Sequence, residues 1–290
     1  MMEHVSSQMR ALAWSALLGL GITVFGAGVW AALATVNLAG TPGIPWSVPA
    51  MAVLLWLMWQ YLGGRWWPRS TSAARRLCLR ANPVSGPVFA WAQVAGGLSL
   101  VALAGYWIVL SQLVKMPGNA VPDFSNYPLL TVVLTIGMAS LAAPLTEEAA
   151  FRGYCQVILE RQFRAPAAVI ISSILFSLVH GPTQGFLWPK LLVYFFVGVM
   201  FGATAHLANS IVPNIPVHFF GLLIFFTLIW PHDGTRGLLA ETGADAWFWI
   251  HLAQAAVFTV LAILAYVRLA KTARDATAAL AGNGAPPAEG

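Results

Sequence analysis

Apolar residues in this 290-residue chain gather into long runs separated by short polar breaks. A run of about 20 apolar residues is long enough to cross a bilayer as a helix. The pattern predicts eight spans, at about 11–36, 46–63, 88–113, 128–144, 166–180, 189–208, 211–230 and 246–268. The first, from about Ala11 to Val36, is too long for the apolar core of a signal peptide and is followed by further spans, so it reads as a retained helix. No stretch outside the runs is large enough for a soluble domain. Composition agrees: the chain is 59% hydrophobic and 9% charged, against about 25% charged residues in soluble domains. The expected fold is therefore an all-α integral membrane protein of about eight transmembrane helices.

The few charges are placed by topology. Arg65, Arg69, Arg75, Arg76 and Arg80 crowd the break after the second span, Arg152, Arg161 and Arg164 follow the fourth, and Arg268, Lys271 and Arg274 follow the eighth. The break 231–245 holds Asp233, Glu241 and Asp245 against Arg236. Basic loops stay in the cytoplasm. With eight spans and both termini cytoplasmic, all three basic clusters fall on one side. Trp66 and Trp67 at one face, and Trp230, Trp247 and Trp249 at the other, suit interfacial aromatic belts. The net charge of +5 is thereby assigned to membrane orientation and not to nucleic acid, and the surrounding partners are membrane lipids. Cys78 and Cys155 lie far apart, outside any CxxC pair, and read as free structural thiols. The Ala/Gly/Pro-rich tail 271–290 is expected to be disordered.

Ionisable residues at membrane depth are costly and mark candidate chemistry. That filter leaves Glu147, Glu148, Arg152, His180, His206, His218 and His251. Helical neighbours are about 100° apart, so Glu147 and Glu148 cannot share a direction. Glu148 and Arg152 are four apart on one face, with the acid N-terminal, the favourable order for an ion pair. Glu147 is left to point elsewhere. His180 closes the fifth span before Gly181 and Pro182. His218 sits in the seventh behind Pro213 and Pro216, which free backbone carbonyls that cavity water or neighbours must satisfy. His206 is read as packing within the core, and His251 as interfacial. Glutamate and histidine from three helices support two chemistries. Imidazoles bind Zn2+ while a carboxylate acts as base, or a desolvated carboxylate activates water directly while histidines bind the oxyanion.

These residues, in this order and spacing, resemble the CPBP family, which comprises CAAX prenyl endopeptidases of the Ras-converting type, bacteriocin-processing proteins and abortive-infection proteins. The EExxxR motif reads as Glu147, Glu148 and Arg152, extended as EEAAFRG with Phe151 and Gly153. The FxxxH motif reads as Phe176 and His180, and the later histidine as His218. The resemblance implies helices 1–3 over residues 1–127, a four-helix catalytic core over 128–230 and a final helix over 231–270. It implies an intramembrane endopeptidase with Glu147 activating water and Glu148 and Arg152 supporting it. His180 and His218 would be oxyanion stabilisers or, with Glu147, ligands of a Zn2+ ion. The substrate would be a small membrane-bound or lipidated peptide or protein, of CAAX or leader-peptide type. The protein would lie in the cell membrane with its site open to the cytoplasm.

One position departs from the family pattern. The third motif usually carries Asn or Asp one turn after its histidine, and here that position is Leu222; Asn209 and Asn214 are the nearby amides. Two non-catalytic classes compete with the peptidase: a silent family member acting as a scaffold or immunity protein, and a proton-coupled transporter. Geometry adds a constraint. If the fourth span ends near residue 144 at the inner face, Glu147 lies at that face. His180, about 20 Å along the fifth span from Pro166, does not. The acids must sit deeper, or the fifth span must begin deeper, for the two to meet.

Overall fold

A computed structural model describes residues 2–116, 124–232 and 237–283. Asp233 and Arg236 of the predicted outer break, and residues 284–290 of the predicted tail, lie outside this set. The described residues contain helices and no strand. We label the principal helices α1 (Met2–Gly40), α2 (Ser47–Leu62), α3 (Ser72–Leu79), α4 (Gly86–Leu113), α5 (Leu129–Glu160), α6 (Ala165–Val179), α7 (Trp188–Leu207), α8 (Asn214–Ile229) and α9 (Ala246–Asn283). Six helices are long and apolar enough to cross a membrane: α1, α4, α5, α6 with its continuation to Thr183, α7 and α9. The two shorter apolar helices, α2 and α8, stand at the second and seventh expected spans. The chain is a multi-pass, all-helical membrane protein.

The largest difference from expectation is α5. The apolar run breaks at Pro144, yet the helix continues for 16 residues to Glu160. Between Glu148 and Cys155 it winds as a π-helix, a wider turn that recurs at functional sites. Polar residues did not end the helix, because they turn inward. Glu148, Arg152 and Gln156 are almost wholly buried. Counting back from Glu160, Glu147 lies roughly 20 Å up the helix, and His180 lies about the same distance along α6 from Ala165. The acids are therefore at mid-helix depth, and the mismatch between Glu147 and His180 disappears.

A second difference is the break before α8. Residues 208–213 leave α7, at whose end His206 is exposed, and descend into the interior to deliver Asn214. Irregular backbone at membrane depth must be buried in protein with its polar groups satisfied. Here it is bonded to the segment that follows α3. Ile211 donates its N–H to the Arg80 carbonyl at 3.0 Å. Asn82 Nδ2 donates to the Asn209 carbonyl at 2.8 Å, and Ser210 Oγ to the Asn82 carbonyl at 2.7 Å. Gln93 Nε2 takes up the Pro213 carbonyl at 2.7 Å. Pro213 precedes the helix and Pro216 lies in its first turn, where a missing N–H breaks no helical bond.

The tail also differs. Residues 271–283 continue α9 as helix, where a disordered segment was expected. Alanine dominates this stretch up to Gly282, and alanine is the strongest helix former.

Close helix crossings fix the acid-bearing segment. α1 packs along α5, and Gly26 meets Thr146, the residue before the acid pair. A Cβ at Gly26 would stand 2.2 Å from Thr146 Cγ2. The carbonyl end of α3 rests on Gly153, where a Cβ would stand 2.9 Å from the Cys78 oxygen. Small residues let membrane helices approach in this way. Gly28 faces open space, with nothing within 4 Å of its would-be Cβ. Gly26→Ala is expected to lower unfolding free energy by about 1–3 kcal/mol through overpacking. Gly28→Ala should be neutral or stabilising by up to about 1 kcal/mol. Denaturant unfolding in detergent micelles measures both, and equal effects at the two positions would disprove the crossing at Thr146.

Candidate active site

The structure brings Glu147, Glu148, Arg152, His180 and His218 together from α5, the end of α6 and α8. The two glutamates diverge. Glu148 points into the protein with no exposed surface and is held by three side chains. Arg152 Nη1 stands 3.4 Å from its Oε1, His218 Nδ1 lies 3.0 Å from the same oxygen, and Asn214 Nδ2 donates to Oε2 at 2.7 Å. A buried carboxylate is tolerated when paired and hydrogen-bonded, and Glu148 meets both conditions. Arg152, equally buried, sits over the Phe176 ring, 4.1 Å from its centroid, and reaches the Val197 carbonyl at 3.4 Å.

Glu147 faces the opposite way, into a cavity of about 410 Å³. Its Oε2 is 3.6 Å from His218 Nε2, and its Oε1 is 3.9 Å from His180 Nε2. Both imidazoles are fixed from behind. His180 Nδ1 is 2.8 Å from the Phe176 carbonyl, an acceptor, so this nitrogen carries the proton. His218 Nδ1 meets the Glu148 carboxylate, also an acceptor. In the neutral tautomers each ring therefore presents a bare Nε2 lone pair to Glu147. Stacking completes the orientation, with His180 on Tyr194 at 4.1 Å and His218 on Phe201 at 4.7 Å. His218 touches both glutamates and is the joint between them.

A charge inventory is informative. The buried cluster contains two carboxylates and one permanent cation, Arg152. One negative charge needs a further proton on the Glu147–imidazole set, or a bound cation, for the interior to be neutral. The donor types suit Zn2+, and an imidazole backed by a carboxylate is a usual outer-shell arrangement. Yet among the described residues no three His, Cys, Asp or Glu groups stand close enough together to hold a metal ion as they are.

Of the remaining candidates, Asn214 belongs to the site and Asn209 does not. Asn214 lies one helical turn before His218, while Leu222, one turn after it, lines the cavity. The polar partner thus comes from the opposite side of the histidine, and its Nδ2 is shared with the Phe201 carbonyl at 2.9 Å. Asn209 is exposed in the α7–α8 connection with a left-handed φ of 46°. His206 is also exposed, which corrects its expected place in the core. It pairs with Glu160 at 3.2 Å because α7 ends beside the end of α5. His251 stacks on Trp247 and contacts Gln254, away from the glutamates.

The cavity is predominantly apolar. From Glu147 it runs past Leu100 and Trp107 of α4 to Phe225 and Trp230 beyond Leu222, with Trp107 edge-on to Phe225 at 5.1 Å.

Residues 129–224 match the family model described as Type II CAAX prenyl endopeptidase Rce1-like. The matched segment contains all five site residues. No curated protein and no solved structure shows significant similarity to the chain. By its 129–224 segment, the chain is similar to the Rce1-like family of type II CAAX prenyl endopeptidases.

Proposed function

We propose that this protein is an intramembrane endopeptidase in which Glu147 activates the hydrolytic water. The reading rests on one observation above the rest: the carboxylate of Glu147 borders an apolar cavity between two imidazole Nε2 atoms, at 3.6 and 3.9 Å. A water between them can donate one hydrogen to the carboxylate and the other to an unprotonated Nε2. Glu147 takes the water proton as the oxygen attacks the peptide carbonyl. The carbonyl π pair moves onto oxygen, and an imidazole supports that oxyanion when its Nε2 carries a proton. Collapse breaks the C–N bond, and Glu147 returns its proton to the departing amine. Glu148 and Arg152 hold His218 in register and leave the chemistry to the cavity face.

The apolar walls suit a substrate that resides in the membrane, a prenylated CAAX tail ahead of an unmodified leader peptide. The basic clusters favour a site opening to the cytoplasmic side. Zn2+, if recruited, would be held by Glu147, His180 and His218 and would polarise the same water.

Two variants separate chemistry from stability. Glu147→Gln should reduce cleavage of a farnesylated CAAX reporter by at least about 10²-fold while leaving the thermal midpoint close to wild type. Retained cleavage would remove Glu147 from this role. Glu148→Leu strands the buried Arg152 charge and should destabilise by about 3–5 kcal/mol, read from denaturant unfolding. A wild-type protein that is folded yet cleaves neither prenylated nor leader peptides would point instead to a silent scaffold, in keeping with Leu222. Exhaustive chelation should leave activity within about twofold. Loss on chelation with recovery in Zn2+ would transfer the imidazoles' role to the metal.

A further inference from the structure

A second polar feature runs along α5 on the side away from the cavity. Glu148, Arg152, Gln156 and Glu160 recur at every fourth residue and form a row in which Arg152 pairs with Glu148 and Gln156 with Glu160. The row abuts a strip of α7 carbonyls: Arg152 reaches Val197, and Gln156 Nε2 donates to Gly202 at 3.0 Å. Asn214 joins the strip through the Phe201 carbonyl. At its lower end Gln156 Nε2 donates to Glu160 Oε1 at 2.9 Å. Glu160 pairs with Arg80 and with His206, whose side chain is 43% exposed. The row therefore runs from a solvated end to the acid pair.

Three members each leave one buried polar atom without a hydrogen bond: Arg152 Nη1, Gln156 Oε1 and Asn214 Oδ1. Amide reversal does not relieve this. Gln156 Nε2 is held by a carbonyl and a carboxylate, and Asn214 Nδ2 likewise, so both oxygens must face away from their acceptors. These atoms, one donor that is ion-paired with Glu148 and two acceptors, are the kind of buried polar group that ordered water satisfies. Gly202 borders this oxygen closely, since a Cβ there would stand 3.0 Å from Gln156 Oε1.

We propose that this row is a hydrated track that binds a short file of water and carries it from the Glu160–His206 end to the acid pair. Resting on the hydrolytic reading above, the file supplies the water consumed at Glu147, passing His218, which touches both glutamates. Substrate and water thus approach from different sides, the former through the apolar cavity and the latter along the row.

X-ray hydroxyl-radical labelling with mass spectrometry tests the track without any need for activity, using full-length protein in nanodiscs. Phe201 borders both row and cavity, whereas Tyr194 borders the cavity at His180. Gln156→Leu should lower labelling at Phe201 by about threefold or more, by removing a water partner, and leave Tyr194 unchanged. Gly202→Ala, which crowds Gln156 Oε1, should act in the same direction and serves if the first variant misfolds. Unchanged Phe201 labelling in a folded variant, or a parallel fall at Tyr194, overturns the track. With the CAAX reporter, kcat should fall with the labelling at constant KM. Reduced labelling with unchanged kcat overturns the supply role. A wild-type enzyme that never cleaves would defeat the hydrolytic reading while the labelling contrast stood.

Discussion

Keeping a pair of carboxylates inside an apolar bundle governs the rest of this structure. An isolated buried carboxylate is prohibitively unfavourable, so each acid requires partners, and the partners require positions. Glu148 recruits Arg152 from its own helix, His218 and Asn214 from α8. To bring α8 within reach, the α7–α8 connection must enter the interior, and its backbone is satisfied only because the α3–α4 segment enters beside it. The descent of both loops, the glycine seat for α3 and the wide turn of α5 are linked consequences of one solvation problem.

The division between the two acids has a functional counterpart. One is saturated by donors and fixes geometry; the other borders open volume. Adjacent residues thus have very different surroundings within one helical turn. His218 reads both, so a change at either carboxylate is transmitted to the other.

The sequence made much of this legible, for a definite reason. In a chain this apolar, every ionisable residue is conspicuous, so the EExxxR set, His180 and His218 stand out in the sequence. The i to i+4 rule paired Glu148 with Arg152. The extent of α5 was harder to see. A proline and a cluster of charges resemble a helix end, and only the inward direction of Arg152, Gln156 and Glu160 distinguishes continuation from termination. Their recurrence every four residues was the available signal. Sequence alone names Asn214 only beside Asn209, because choosing between them depends on a loop dipping into the interior, a tertiary fact with no local sequence signature. In the tail, small residues suggest disorder while the alanines favour the helix that continues to Asn283.

The apolar cavity has a bearing on selectivity. A molecule that reaches Glu147 between Trp107, Phe225 and Leu222 has already left water, so most of its desolvation occurred on entering the bilayer. Such a chamber sorts molecules by where they reside before it reads their chemistry. On the proposed reading, residence in the membrane is the first determinant of specificity, and the short polar stretch beside the two histidines needs to recognise little more than a peptide bond.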